Sequence, residues 1–83
     1  MLYFNKDQVI EVDVHGMGVY DAKHYLERFI ITIDRNIKEI VVIHGYRSGD
    51  ALLNMVRRDL KSRKIKQRII SLNPGITSLI INN

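Results

Sequence analysis

A short phrase occurs twice in this chain, and it limits the possible folds more than any other feature. Val12-Asp13-Val14-His15-Gly16 is echoed by Val41-Val42-Ile43-His44-Gly45, with the two histidines 29 positions apart. Each copy is a β-branched run closed by His-Gly, and each leads into a stretch with helical spacing. A strand, a helix and a second strand fit in roughly 30 residues, the length of a βαβ unit. Parallel neighbours lie only ~4.8 Å apart, so pairing the two copies brings both His-Gly corners to one end of a sheet. Ligand sites in open α/β sheets form at that end, outside the carboxyl ends of the strands.

The rest of the chain reads outward from this unit. Residues 1–8 form a short leader without periodicity, and a single domain is expected over residues 9–83. Val9–Val14 is the first strand. Ile10, Val12 and Val14 point one way and Glu11, Asp13 and His15 the other, because side chains alternate along a strand. Gly16 and Gly18 end it. From Val19, apolar residues at Val19, Ala22, Leu26, Phe29, Ile30 and Ile33 keep the spacing of one helix face, and Asp21 suits the helix dipole. Glu39–His44 is the second strand, and its apolar run from Ile40 to Ile43 implies burial on both faces.

A loop, Gly45-Tyr46-Arg47-Ser48-Gly49, follows, with Ser48 or Asp50 available as N-cap. A second helix is expected from about Asp50 to Ser62, burying Leu52, Met55, Val56 and Leu60. Gln67–Leu72 and Thr77–Ile81 flank Asn73-Pro74-Gly75, where Pro then Gly suits a type II turn and hence an antiparallel hairpin. The order β-α-β-α-β-β predicts an α/β fold of the two-layer α+β sandwich type. Its mixed sheet has four strands with two helices on one face, an arrangement that right-handed crossovers allow if the first three strands run parallel as neighbours. Glu11, Asp13 and His15 then stand on the uncovered face.

Composition narrows the function classes. With 83 residues there is room for one core, and zero cysteines exclude a disulfide framework and a thiolate metal site. No run approaches the ~18 apolar residues of a membrane helix, and the first residues lack the layout of a signal peptide, so no membrane partner and a cytoplasmic address are expected. The net charge is +4 and unevenly spread. Arg57, Arg58, Lys61, Arg63, Lys64, Lys66 and Arg68 crowd one segment against Asp59 alone. That segment reads either as a solvated helix end favouring the macrodipole or as a nucleic-acid footprint.

Asp13 and His15 share a strand face, so the carboxylate either merely orients the ring or holds one tautomer of a general acid or base. Asp13 is also the one candidate for Mg²⁺, a cation that takes oxygen ligands. Its two oxygens are too few for a protein-only site, so phosphate would have to share the ion. His44 lies on the other phase of its strand, as a hydrogen-bonded loop support or as a group that stabilises phosphate or protonates a leaving oxygen. Gly16 and Gly45 either permit tight turns or lend N–H groups to an anion cradle. Tyr46 either packs locally or stacks on an unpaired base.

The order and spacing of three motifs resemble the small MutS-related (Smr) domain family. Val12-Asp13-Val14-His15-Gly16 is similar to its L-D-L-H-G motif, His44-Gly45-Tyr46-Arg47 to its H-G-x-G, and Gly75-Ile76-Thr77 to its closing G-x-T. The match spans about Glu11 to Ile81. The resemblance implies a fold similar to the C-terminal domain of bacterial translation initiation factor three, DNA or RNA as partner, and in several members endonuclease activity. Roles in DNA repair and recombination, or in RNA and ribosome quality control, follow from it. With the two His-Gly turns converging beside the cationic segment, catalysis is expected of Asp13, His15 and His44, without a tightly bound cofactor but with Mg²⁺ as an option for cleavage. Nucleic acid would be met at Gly16, Gly45, Tyr46, Arg47, Ser48, Gly49, Arg57, Arg58 and Lys61. Arg47 departs from the family pattern, which has glycine there; arginine offers a planar, bidentate phosphate contact instead. The alternative is a non-catalytic module that binds nucleic acid or the ribosome, and a third reading is a protein-interaction domain using the open sheet face.

Overall fold

The computed structural model describes residues 2–6 and 8–82. The elements run β1 (Leu2–Lys6), β2 (Val9–Asp13), α1 (Val19–Thr32), β3 (Glu39–Ile43), α2 (Ala51–Asn54, continued by a π-helical turn, Met55–Asp59), β4 (Ile65–Ile70) and β5 (Ile76–Ile81). They make one mixed sheet in the order β1-β2-β3-β5-β4, with both helices on one face. The two-layer α+β fold is therefore as the motifs imply. Among the described residues, no helix is long and apolar enough to cross a membrane.

The repeated phrase is paired as its spacing demands. β2 and β3 are parallel neighbours in a register that sets Ile10 beside Ile40, Val12 beside Val42 and Asp13 beside Ile43. Alternation then sends Ile10, Val12, Val14, Ile40 and Val42 to the helices, where they join Ala22, Leu26 and Ile30 of α1, Met55 and Val56 of the π-turn, and Leu79 and Ile81 of β5 in one buried cluster. Burying such a side chain is worth about 1.5–3 kcal/mol relative to leaving it exposed, so this face fixes the register. Glu11 is exposed on the opposite face, as expected.

Several expectations change. The leader is not structureless. Leu2–Lys6 pairs antiparallel with β2, Leu2 opposite Asp13 and Phe4 opposite Glu11, as a fifth strand. Without it β2 would present a row of unpaired backbone groups at the sheet edge, and Tyr3 and Phe4 are residue types that suit a strand. Met1 and Asp7 of that leader, and Asn83 at the other end, lie outside the described residues.

The third expected strand, β4, is not a neighbour of β3, because β5 inserts between them and runs antiparallel to both. β5 carries the buried Thr77, Leu79 and Ile81, whereas β4 carries Lys66 and Arg68, charges that suit an edge, with the polar Gln67 between them. Val41 and Ile43 are only half-buried, since β3 has helices on one side alone. The turn before β5 is not type II: Gly75 lacks the positive φ which that turn needs at its third position. Asn73 closes it instead, its Oδ1 accepting the Gly75 N–H at 2.9 Å.

The second helix stops at Asp59 rather than Ser62, and its last turn is widened, with the Leu60 N–H bonded to the Met55 carbonyl at 2.8 Å. Asp50 takes the N-cap position but makes no side-chain cap bond. Arg68 reaches across from β4 and closes the helix end, donating to the carbonyls of Val56 and Leu60.

Candidate nucleic-acid site at the strand rim

Because Asp13 sits beside Ile43, the two His-Gly corners lie next to each other at one rim of the sheet. Gly16 and Gly45 both turn the chain there with φ of 81° and 74°. They are close enough that a Cβ placed on Gly45 would lie 3.6 Å from the Cβ of His15. On the open face, Asp13 Oδ1 accepts two bonds from His15, one from the backbone N–H at 3.0 Å and one from ring Nδ1–H at 2.5 Å.

Partial burial pushes the Asp13 carboxyl up. The His15 ring and backbone bonds outweigh it and bring that carboxyl below its ordinary range. With Nδ1 carrying the proton, the neutral His15 ring has its lone pair on Nε2, and 68% of the side chain is exposed. The dyad is thus a fixed tautomer with its basic nitrogen in the open.

His44 is placed quite differently. It continues the phase of Val42, so its ring enters the layer between sheet and helices and is 3% exposed. Nδ1 donates to the Gly45 carbonyl at 2.8 Å, which leaves Nε2 as acceptor for the Thr77 hydroxyl at 2.8 Å. The same Thr77 Oγ1 accepts from Arg57 Nε–H at 2.8 Å, and the Arg57 guanidinium also reaches the Ile76 carbonyl. Burial pulls the His44 pKa below the ordinary imidazole value; the Gly45 bond opposes the shift and the Arg57 charge adds to it. Among the described residues no buried side-chain nitrogen or oxygen lacks a partner, which is what a buried polar group requires.

The three motifs therefore converge, but not on three free functional groups. His15 and Asp13 face outward, while His44 is bonded at both nitrogens. The N–H groups of His44 and Gly45 both donate to the Gly75 carbonyl at 2.9 Å, so the Gly45 N–H has no place in an anion cradle. Thr77 was singled out by its motif but not as a site residue. Its buried phase on a strand, two residues after Gly75, was the available signal.

An open cleft of about 630 Å³ lies over this rim, walled by the turn from His15 to Val19, the loop from Ile43 to Gly49, Ala51 and Leu52 of α2, and the turn before β5. Tyr46, Arg47, Ser48 and Gly49 are all exposed on that loop. Arg58 and Lys61 are exposed but do not line the cleft, and Arg57 is tied inward to Thr77. The basic segment divides: Arg57, Lys64 and Arg68 give side-chain donors to the fold, and Arg58, Lys61, Arg63 and Lys66 are exposed. Lys64 Nζ donates to the Ile31 carbonyl, Arg68 closes the helix end, and the Lys61 backbone N–H bonds to Glu27, which Lys23 also approaches. Among the described residues, no three His, Asp or Glu side chains gather. With one Asp13 oxygen already bonded to His15, the side chains present do not compose a Mg²⁺ site of their own.

Three comparisons bear on this arrangement. No curated protein sequence matches the chain. The structure is similar to the crystal structure of the Smr domain of Thermus thermophilus MutS2, with a TM-score of 0.76 at 18% sequence identity, over 88% of this chain and 98% of that one. The model of the Smr domain family matches residues 12–75, from the first His-Gly phrase to the glycine before β5. By that match, which covers most of its length, the chain belongs to the Smr domain family.

Proposed function

We propose that this domain binds nucleic acid and cleaves its phosphodiester bonds, with His15 as general base and Asp13 as the group that orients it. Family membership supports nucleic-acid binding. The observation that carries the cleavage reading is the 2.5 Å bond between Asp13 Oδ1 and His15 Nδ1, which engages Nδ1 and leaves Nε2 of an exposed ring beside the cleft. A base so placed takes the proton from the attacking hydroxyl, either water or, in an RNA strand, the ribose 2′-hydroxyl. The hydroxyl oxygen bonds to phosphorus as the bond to the leaving oxygen breaks, and the imidazolium returns the proton to that oxygen. Such proton transfer is worth typically 10²–10⁴ in rate. Asp13, held ionised, stabilises the imidazolium, and Arg47 offers the planar fork that binds a phosphate through two oxygens. His44 takes no proton in this scheme; it holds the loop.

The test is cleavage of matched DNA and RNA strands, with and without Mg²⁺, by the native chain and by an Asp13→Ala, His15→Ala double variant. Native cleavage that falls to background in the variant supports the reading, and equal cleavage by both ends it. The second reading, a binding module without cleavage, is favoured by the engagement of both His44 nitrogens and by Arg47. It predicts salt-sensitive binding with a slope of about −0.9 per neutralised phosphate on duplex DNA. Replacing Arg47, Arg58 and Lys61 together should flatten that slope by up to about three units, and an unchanged slope would remove this surface from the interface.

A further inference from the structure

The cleft has the wrong floor for a phosphate and the right one for a base. Its N–H groups at His44 and Gly45 are both committed to the Gly75 carbonyl, and Asp21 already places a carboxylate in the first turn of α1. What remains exposed to a ligand is mainly carbon, contributed by Met17, Val19, Ile43, Leu52 and Ile76. Tyr46 stands over this space. Its Cδ1 would meet a Cβ on Gly75 at 3.6 Å, so the ring rests on that turn while the residue remains 47% exposed. Gly45 and Gly49, with φ of 74° and 114°, bracket Tyr46-Arg47-Ser48 in backbone shapes that other residues rarely adopt. The loop therefore sets an aromatic ring and a guanidinium on successive residues.

We propose that this cleft is a nucleobase subsite. It takes one unpaired base against Tyr46 and the apolar wall, while Arg47 meets the adjoining phosphate and His15 the scissile bond. The inference rests on the phosphodiester reading above and deepens it, by naming the substrate as single-stranded or locally extruded nucleic acid. Size agrees, since clefts that hold small ligands run about 300–1,000 Å³. Geometry agrees as well: a base inside a duplex cannot reach a recessed pocket unless it leaves the stack. Every base has a flat face, so stacking on a tyrosine ring and aliphatic side chains tolerates bases of any sequence.

The test uses the whole chain and a short single strand with a fluorescent dye at one end, the same strand annealed to its complement, and the same dye-labelled strand with one base removed. Binding is read by fluorescence at fixed salt for the native chain, Tyr46→Ala and Tyr46→Phe. The expected result is tighter binding of the single strand than of the duplex. Tyr46→Ala should weaken it by about five- to hundredfold and Tyr46→Phe should restore it. Removing the base should cost the native chain a similar factor and cost Tyr46→Ala nothing more. Equal affinity for strand and duplex, or an equal Tyr46→Ala loss on intact and base-free strands, overturns the subsite. In those cases cleavage that still depends on His15 leaves the phosphodiester reading standing. If no nucleic acid binds at all, both fall.

Discussion

The two His-Gly corners share sequence, turn geometry and rim, yet one faces solvent and the other is structural. The difference is a matter of strand phase. His15 follows Glu11 and Asp13 on the uncovered face, so its ring meets a carboxylate and water. His44 follows Ile40 and Val42 on the covered face, so its ring meets Thr77 and the Gly45 carbonyl and is shut from water. A shift of one residue along a strand exchanges the two fates. A repeated motif therefore need not be a repeated function: the second copy here holds in place the turn against which the first copy packs.

The comparison breaks most sharply at His15. His15→Ala should lower cleavage by about 10²–10⁴ while moving stability by no more than ~0.5 kcal/mol, because the ring is exposed. Asp13→Asn should lower cleavage as well, since the amide oxygen can still accept from Nδ1–H but carries no negative charge to stabilise the imidazolium. Rates on a common substrate, set beside urea unfolding of the same proteins, check both. Activity surviving in His15→Ala would return the catalytic role to the other corner.

The opposite corner should answer in stability. Thr77→Val keeps the shape of the side chain but strands the Arg57 Nε–H and the His44 Nε2 lone pair inside the fold. Leaving such groups unpaired costs roughly 1–3 kcal/mol each way it is measured, read as a lower urea midpoint with an unchanged slope. Cleavage at temperatures where the variant is folded should drop less than tenfold. A larger drop, with stability intact, would show that the buried cluster reaches the chemistry after all.

How far the sequence carries differs between these two corners. The βαβ pairing, the covered and open faces and the Asp13–His15 dyad all follow from period-two alternation, which is a local property of five or six residues. The Arg57–Thr77–His44 cluster does not, because it joins three elements far apart in the chain and depends on the widened turn from Met55 to Asp59. Helical spacing alone runs that helix on to Ser62. Strand order was hidden for a similar reason: an insertion of β5 beside β3 is decided by which strand can bury both neighbours. The pairing of Leu2–Lys6 was hidden because Leu2, Tyr3 and Phe4 follow one another without a polar residue between them, so the segment shows no alternation. Charge crowding at 57–68 was visible, but not that Arg57, Lys64 and Arg68 would give their donors to the fold.

The smallest effect separates the corners by pH. His44 is neutral in the fold and its pKa lies below that of a free imidazole, so the unfolded chain binds its proton first as acid is added. Its contribution is complete above about pH 6.5 and drains away as the pH falls from there through the lowered folded value. The Asp13 carboxyl is also lowered in the fold, so its contribution has the same sign but a lower window. It is complete above about pH 4 and is lost only below that. Urea midpoints followed from neutral pH downward should therefore fall in two stages. His44→Gln should abolish the upper stage and spare the lower, while Asp13→Asn should spare the upper and only shrink the lower, because the Glu27 carboxyl, pushed up by partial burial but brought down further by its bonds from the Lys61 N–H and Lys23, also titrates there. A single stage near pH 4 that His44→Gln leaves untouched would mean that the buried imidazole accepts its proton without strain, and the distinction between the two corners would then rest on exposure alone.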